Sequence, residues 1–200
     1  MNSKRNLSSP LTFLKAICLG FLFTCLLSCN QSKGTLESDF EGWEIFGAAD
    51  WTIEEGILHG TVNDTVGFVM SKAAYSSFRL TVEFKPNSSI NSGIYLRCQN
   101  KEISFVDCYE FNIWDLHPNQ DFRTGAVVNI APPLNYVETI DQWNTYEIEL
   151  KDNKLKAWVN GVQTVDLEDP SLKEGFIALQ AMGSGEVSFR KLKIQDLSKK

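Results

Sequence analysis

The stretch NTYEIELKDNKLKAWVNGVQTVDL (residues 144–167) contains three short runs in which apolar and polar residues alternate. Such period-two alternation is typical of β-strands that bury one face. Asn160-Gly161 separates the second run from the third, and this dipeptide is favoured in two-residue hairpin turns because both positions need a positive φ. Asp152-Asn153 links the first run to the second in the same manner. We therefore predict a three-stranded antiparallel meander over 144–167.

Similar alternating runs recur along the chain, separated by Gly, Asn, Asp and Pro, and no long stretch has helical periodicity. The other predicted strands are residues 56–62, 67–71, 78–85, 93–98, 104–114, 124–130, 175–180 and 186–196. Roughly a dozen strands are too many for one open sheet, which would curl or split into two packed sheets. The predicted fold is all-β, a two-sheet antiparallel sandwich of the jelly-roll type.

The segment YEFNIWD (109–115) has an unusual polar row for so apolar a strand. Tyr, Phe and Ile alternate on one face, while Glu110, Asn112 and Trp114 lie in line on the other. If the neighbouring strands keep the same parity, they add three side chains to this outer face: Glu83, Tyr95 and Arg97. Four further residues that flank the row are rich in hydrogen-bonding groups: Asn91, Asp115, His117 and Asn144.

Two interpretations of this outer face are open. A plain solvated sheet face is expected to be polar, and a cross-strand Arg–Glu pair contributes only a fraction of a kcal/mol. The aromatic rings of Tyr95 and Trp114, however, offer flat surfaces for sugar rings among amides and carboxylates. That combination favours a concave carbohydrate-binding face.

The two cysteines of the predicted domain are Cys98 and Cys108. Strict alternation places the first on the core row and the second on the outer row, so a disulfide between them would need a bulge or a change of register. Whether they pair stays open. No CxxC motif or histidine cluster suggests a metal site, and no loop has a convincing run of oxygen ligands for calcium. We predict no cofactor or metal.

The first 28 residues are typical of a bacterial lipoprotein signal peptide, with an ordinary signal peptide or a short anchor helix as the alternatives. Lys4 and Arg5 precede an apolar run of about 12 residues, which is shorter than the roughly 20 that a membrane-spanning helix needs. The run ends in LLSC, which resembles a lipobox, and Cys29 would then be the lipidated first residue of the mature chain. Residues 29–39 read as a flexible tether and 40–197 as the sandwich domain. The expected location is the bacterial cell envelope, on the outer-membrane or periplasmic side.

The charge of the chain argues against nucleic acid as a partner. The formal net charge is −6, and loss of the three basic residues of the leader, which contains no acid, makes it −9. An acidic domain without a basic stripe does not attract phosphate backbones. The predicted partners are a carbohydrate and, through the N-terminal lipid alone, the membrane; the sequence does not indicate the oligomeric state.

Six segments in the same order resemble the 3-keto-disaccharide hydrolase domain family. They are NSGIYLR (91–97), YEFNIWD (109–115), TGAVVNIAP (124–132), WNTYEIEL (143–150), WVNG (158–161) and GFIALQAMGSGEVSFRKLKI (175–194). The resemblance covers about residues 40–197. It implies a concanavalin A-like jelly roll outside the cytoplasm and cleavage of glycosidic bonds in sugars oxidised at C3. Three positions depart from the family's usual residues: Asn112 for Gln, Val128 for Tyr and Met182 for His.

The implied chemistry starts from the acidity of the hydrogen on C2 of a 3-keto-glycoside. Its removal gives an enolate from which the C1 oxygen can depart, and water then adds. We predict Glu110 as the base and Arg97 as the group that holds the substrate or stabilises the enolate. Asp115 or His117 would orient the substrate or protonate the departing oxygen.

Three alternatives remain. An ordinary glycosidase would use two carboxylates, for which Glu83 and Glu110 are the available pair. A non-catalytic sugar-binding lipoprotein would use the same face, and Met182 and Val128 favour it. A protein-interaction lipoprotein would use Tyr95, Trp114 and Arg97 as interface anchors.

Overall fold

The computed structural model describes residues 39–103 and 106–198. The predicted signal peptide, Cys29 and all but the last residue of the predicted tether lie outside these ranges. Ten β-strands and a short 3₁₀ helix (Gln120–Phe122) form the secondary structure of the described residues. The strands are β1 (Trp43–Gly47), β2 (Asp50–Glu54), β3 (Ile57–Ser71), β4 (Phe78–Pro86), β5 (Ile90–Cys98), β6 (Tyr109–Ile113), β7 (Asn144–Lys151), β8 (Lys154–Val159), β9 (Val162–Glu168) and β10 (Phe176–Asp196). Within the described ranges, no helix has the length and apolar character needed to cross a membrane.

Two long strands, β3 and β10, pair along their length and take part in both layers of the sandwich. The front sheet contains β1, the second half of β3, the first half of β10, β5 and β6. The back sheet contains β2, the other halves of β3 and β10, β4 and the meander β7–β8–β9. Every one of these pairings is antiparallel.

The chain passes from one layer to the other where β10 changes its partner from β5 to β4. The register of β10 against β3 shifts between Gly183 and Ser184, which marks a bulge. Gly185 follows with φ 134, and a Cβ there would lie 2.5 Å from Asn87 Oδ1 in the β4–β5 turn. Only glycine fits this close approach, so the bend is encoded locally.

The core lies between the two sheets. It is filled by the inward rows of both layers, with Tyr109 and Phe111 from the front sheet facing rings such as Phe84 and Tyr146 from the back sheet. These residues are at most 1% exposed. The predicted two-sheet antiparallel sandwich is confirmed, as is the meander, whose 160–161 turn has the positive φ values of 51 and 78 that its sequence requires.

Some strand predictions were wrong in detail. Residues 56–62 and 67–71 belong to one continuous strand, as do 175–180 and 186–196. The predicted strand 124–130 is instead a series of turns beside β6, with one bridge from Val127 to Phe111. Positive φ at Gly125 and Asn129 explains the difference, because the chain cannot stay extended through them.

Candidate functional site

The outward side of the front sheet, here called the front face, carries a mixture of aromatic, amide and acidic side chains. One row runs across the sheet from Glu110 on β6 to Tyr95 on β5 and Ala178 on β10. The adjacent row contains Asn112, Gly93, Gln180 and Phe68, and the row beyond it contains Asn91, Met182 and Val66. The structure therefore places three residues of the predicted outer row, Tyr95, Glu110 and Asn112, in neighbouring positions on the front face.

Glu110 is the most unusual group on the front face. It is 7% exposed, and burial raises the pKa of its carboxyl to about 7, while the hydrogen bond that it accepts from the Tyr95 hydroxyl acts in the opposite direction. A Cβ added to Gly93 would lie 3.3 Å from both Cγ and Oε1 of Glu110. The carboxyl therefore rests over a glycine, in a site that disfavours its charge.

Tyr95 connects Glu110 to the centre of the sheet. Its hydroxyl accepts a hydrogen bond of 2.9 Å from Gln180 Nε2, and its ring packs edge-on against Phe68 with the centroids 5.6 Å apart. The hydroxyl hydrogen is consequently free to point at Glu110. Burial, and then the nearby carboxylate, raise the pKa of Tyr95, so the group stays a hydrogen-bond donor at physiological pH.

Arg97 was placed on this face by alternation, and that placement is wrong. Its backbone has φ 54, and the register of β5 against β10 shifts here, so the side chain turns to the opposite side of the sheet. The guanidinium, 1% exposed, donates to Ser76 O at 3.0 and 2.5 Å and to Leu172 O at 2.7 Å. It ties together two connecting segments and does not share a site with Glu110.

The same bulge settles the pairing of the cysteines. Because alternation is interrupted at Arg97, Cys98 comes to the side of Cys108, and the two form a disulfide. Both are buried in a small apolar cluster with Tyr95 and Met70 beside the front face. Strict alternation would put the two cysteines on opposite faces, and it fails here because of the register shift in β5.

Three predicted site residues hold connecting segments in place. Asp115 accepts hydrogen bonds from the backbone N–H of Thr139 at 2.5 Å and from its hydroxyl at 2.8 Å. Asn112 donates to the backbone carbonyl of Phe122 and accepts from Ile113 N–H. Asn144 donates to Thr139 O and to Gln142 O, both at 2.7 Å, and accepts from Asn160 Nδ2. The three side chains are 2–5% exposed, and their hydrogen-bonding groups have these internal partners in the structure; the substrate contacts predicted for them stay a prediction.

Two further predicted residues follow β6. Trp114 and His117 are half-buried and pack edge-to-face, with the ring centroids 4.5 Å apart, and His117 also contacts Phe122. His117 Nδ1 lies 3.0 Å from the N–H of Asn119, which donates to it. The structure brings these rings to the end of the strand that carries Glu110 without a direct contact to its carboxyl.

Glu83 lies on the other layer. It belongs to β4, and its carboxylate is paired with Arg190 at 2.6 Å and Lys191 at 2.7 Å. The hydrogen bond from Lys191, followed by that from Arg190, lowers its pKa. Since Glu83 faces outward from the back sheet and Glu110 outward from the front sheet, the core separates them. The two-carboxylate glycosidase alternative is therefore wrong for this pair.

Sequence reasoning missed Gln180 and Phe68, and it considered Met182 and Val128 only as departures from a family. The backbone N–H of Val128 donates to the main-chain carbonyl of Glu110, so this residue lies beside β6 at the sheet edge. Alternation of the run GFIALQ does place Gln180 on the outer row, and that signal was available. In residues 39–103 and 106–198, no three His, Cys, Asp or Glu side chains are grouped as metal ligands.

Comparison with known proteins identifies a family and several proteins of similar fold. Residues 34–195 match the model of the 3-keto-alpha-glucoside-1,2-lyase-like domain. A candidate glycosyl hydrolase from Parabacteroides distasonis ATCC 8503 has a similar fold, with a TM-score of 0.70 and 22% identity over 80% of this chain and 91% of the other. No curated protein matches the chain in sequence.

Two carbohydrate-binding domains also share the fold. The carbohydrate-binding module CBM66 from Bacillus subtilis has a TM-score of 0.60 and 18% identity, covering 78% of this chain and 96% of its own. The carbohydrate recognition domain of Emp47p has a TM-score of 0.60 and 14% identity, with coverage of 78% and 89%. At these identities the likeness concerns the sandwich architecture alone.

Proposed function

The chain belongs to the 3-keto-alpha-glucoside-1,2-lyase-like domain family, and on that premise we propose that it cleaves the glycosidic bond of 3-keto-glycosides with Glu110 as the general base. The observation that carries the proposal is the Glu110 carboxyl, which is buried on the front face over Gly93 and has a pKa of about 7, near physiological pH. A base of that pKa combines a large ionised fraction at neutral pH with useful basicity. Ionisation of a buried carboxyl destabilises the fold, and catalytic sites commonly contain groups that are destabilised in this way.

The reaction proceeds by elimination followed by hydration. The Glu110 carboxylate takes the proton from C2, and the electron pair of the C2–H bond forms the C1–C2 double bond conjugated with the C3 carbonyl. The C1–O bond breaks, and the departing oxygen keeps its electron pair and takes a proton from a water molecule, which becomes hydroxide. The hydroxide then adds to C1 and the proton on Glu110 returns to C2, which gives the free 3-keto-sugar and restores the carboxylate.

Tyr95 replaces Arg97 as the polar partner of the base in this scheme. Its hydroxyl is held by Gln180 and donates to Glu110, which keeps the carboxylate oriented before the substrate arrives. Arg97 has no role at the reacting atoms because its donors are bound to backbone carbonyls at the other side of the sheet. Asp115 is engaged in the same internal way.

The direct test is to incubate the full chain with 3-keto-trehalose and follow the release of glucose and 3-keto-glucose. The wild type should turn over, and Glu110→Gln should lose at least about a hundred-fold in kcat, as expected for removal of a general base. Glu54→Gln, which changes an exposed carboxyl on β2, is the matched control and should keep full activity. Full activity of Glu110→Gln would exclude this residue as the base.

A second candidate is a non-catalytic sugar-binding protein that uses the front face. Two points favour it: Met182 stands where the resemblance described above implies a His, and the fold is shared with the CBM66 module. Saturable binding of 3-keto-trehalose without product would support this function.

We further propose that Cys29 carries a lipid and tethers the domain to the bacterial cell envelope. The basic start, the short apolar run and the LLSC motif support this. Mass spectrometry of the full chain expressed in bacteria should find acyl chains at Cys29, and Cys29→Ser should be released from the membrane fraction. A wild-type protein with an unmodified Cys29 would contradict the proposal.

A further inference from the structure

A cavity of about 580 Å³ lies at the end of the sandwich where β4 begins and β7 ends. Its volume is within the range of small-molecule binding sites. Among the described residues that line it are three cations, Arg97, Lys151 and Lys173, and one acid, Asp152. These four side chains carry a net charge of +2, whereas the whole chain carries −6. Positive charge is therefore concentrated at this cavity of an acidic protein.

Arg97 is a buried cation without an acidic partner. The guanidinium is 1% exposed and uses three of its five N–H donors on the backbone carbonyls of Ser76 and Leu172. In the part of the chain that the structure describes, no carboxylate forms an ion pair with it. Burial lowers its pKa, and the fields of Tyr109 and Asp152 oppose this only in part. Buried charges in proteins are usually paired, so this cation favours an anion in the adjoining cavity.

The other lining groups can also serve an anion. Ser77 Oγ accepts a hydrogen bond of 3.2 Å from the backbone N–H of Asp152, so its hydroxyl hydrogen can be donated to a ligand. We propose that this cavity binds the dianionic phosphate of a phosphate monoester, with Arg97, Lys151 and Lys173 as its cationic partners. A phosphate monoester carries up to two charges and three acceptor oxygens, which suits donors that come from separate segments of the chain. Arg97 and Glu110 point to opposite sides of their sheet, so this site does not depend on the proposed function.

The test is an NMR titration of the full chain with glycerol 3-phosphate at constant ionic strength, following the backbone amides of Ser77, Asp152 and Leu197. These signals should shift in a saturable manner, and dimethyl phosphate, which has a single charge, should bind at least about ten-fold more weakly. Lys151→Gln and Lys173→Gln should each weaken binding of the monoester about ten-fold, the effect of one lost hydrogen bond to a charged group. Both lysines are exposed, so neither change should disturb the fold.

Two further variants separate a local site from general attraction by charge. Asp152→Asn should tighten binding about five-fold because it removes the acid from the wall. Asp152 has φ 54, a conformation that Asn tolerates, so the turn is retained. Lys85→Gln is the matched control for the lysine variants, since Lys85 is exposed at the other end of β4, roughly 26 Å from Ser77 along the strand. It should leave the affinity unchanged.

Co-sedimentation of the full chain with phosphatidylcholine vesicles, with and without phosphatidic acid, distinguishes a lipid headgroup from a soluble ester as the source of the phosphate. Binding to phosphatidic acid that is lost in Lys151→Gln and Lys173→Gln, without binding of glycerol 3-phosphate, would support the site and assign it to the headgroup. Absence of both kinds of binding would overturn the inference. Equal affinity for dimethyl phosphate, equal weakening by Lys85→Gln, or an Asp152→Asn variant that binds no more tightly than the wild type would also overturn it.

Discussion

Replacing Glu110 by Gln should remove a pH dependence from the stability of the domain. The carboxyl has a pKa of about 7 in the folded protein against 4.5 as the ordinary value, because burial disfavours its charge. Since the pKa is raised on folding, the stabilising contribution is complete below about pH 4.5, where both states are protonated. It declines as the pH rises and is lost above the folded-state pKa of about 7.

The size of the effect follows from the same shift. About 2.5 pKa units at 1.36 kcal/mol each correspond to a loss of about 3 kcal/mol in the free energy of unfolding between pH 4.5 and pH 8. Gln keeps an acceptor for the Tyr95 hydroxyl but adds an amide group that needs partners, which costs about 1 kcal/mol at every pH. Glu110→Gln should therefore be less stable than the wild type by about 1 kcal/mol at pH 4.5 and more stable by about 2 kcal/mol at pH 8.

Urea unfolding followed by tryptophan fluorescence at pH 4.5, 5.5, 6.5 and 8 measures this crossing. Glu54→Gln controls for the loss of an acid at an exposed position and should differ from the wild type by the same small amount throughout. A constant difference between Glu110→Gln and the wild type across the range would refute the reasoning. It would mean that the carboxyl has the same proton affinity in both states.

Three further changes test the structural assignments. Arg97→Lys should lower the free energy of unfolding by about 2–3 kcal/mol, because an ammonium cannot reproduce three guanidinium bonds to backbone carbonyls; lost turnover with unchanged stability would instead give Arg97 a catalytic role. Asp115→Asn should cost about 1–2 kcal/mol and speed hydrogen exchange of the Thr139 amide, which an anchoring carboxylate protects; unchanged exchange would contradict the anchoring. Replacing both Cys98 and Cys108 by Ser should lower the free energy of unfolding by about 2–3 kcal/mol, because the disulfide closes a loop between residues with a sequence separation of 10. Equal stability of the variant and the wild type in urea unfolding would refute this.

Alternation predicted the faces of regular strands well and failed where the backbone departs from the extended conformation. The meander and the positions of Tyr95 and Glu110 follow from period-two patterning and one Asn-Gly turn. A single positive φ at Arg97 reverses the parity of the residues after it. Arginine is not a residue type that marks such a conformation, so the sequence contains no local signal for the bulge.

Side-chain chemistry alone also could not separate binding residues from residues that hold loops. Asn112, Asp115 and Asn144 have the amides and carboxylates typical of a sugar site, yet their partners are almost all main-chain groups. Thr139, which bonds to two of them, is 24 residues from Asp115 in the chain. Alternation within one strand gives no information about hydrogen-bond partners that lie in a connecting segment distant in sequence.

These loop-anchoring residues also organise the segment beside the front face. Asp115 and Asn144 fix Thr139, Asn112 fixes the turn at Phe122, and between those points the chain runs alongside β6 as far as Val128. That segment pairs by backbone hydrogen bonds with the strand that carries Glu110. Packing alone offers no reason to keep a carboxyl there, because an apolar residue would avoid a penalty of about 3 kcal/mol at neutral pH. A site that abstracts a proton requires a buried acid that is kept although it destabilises the fold. Glu110 meets this requirement, with Tyr95 to orient its carboxyl and anchored loops around it.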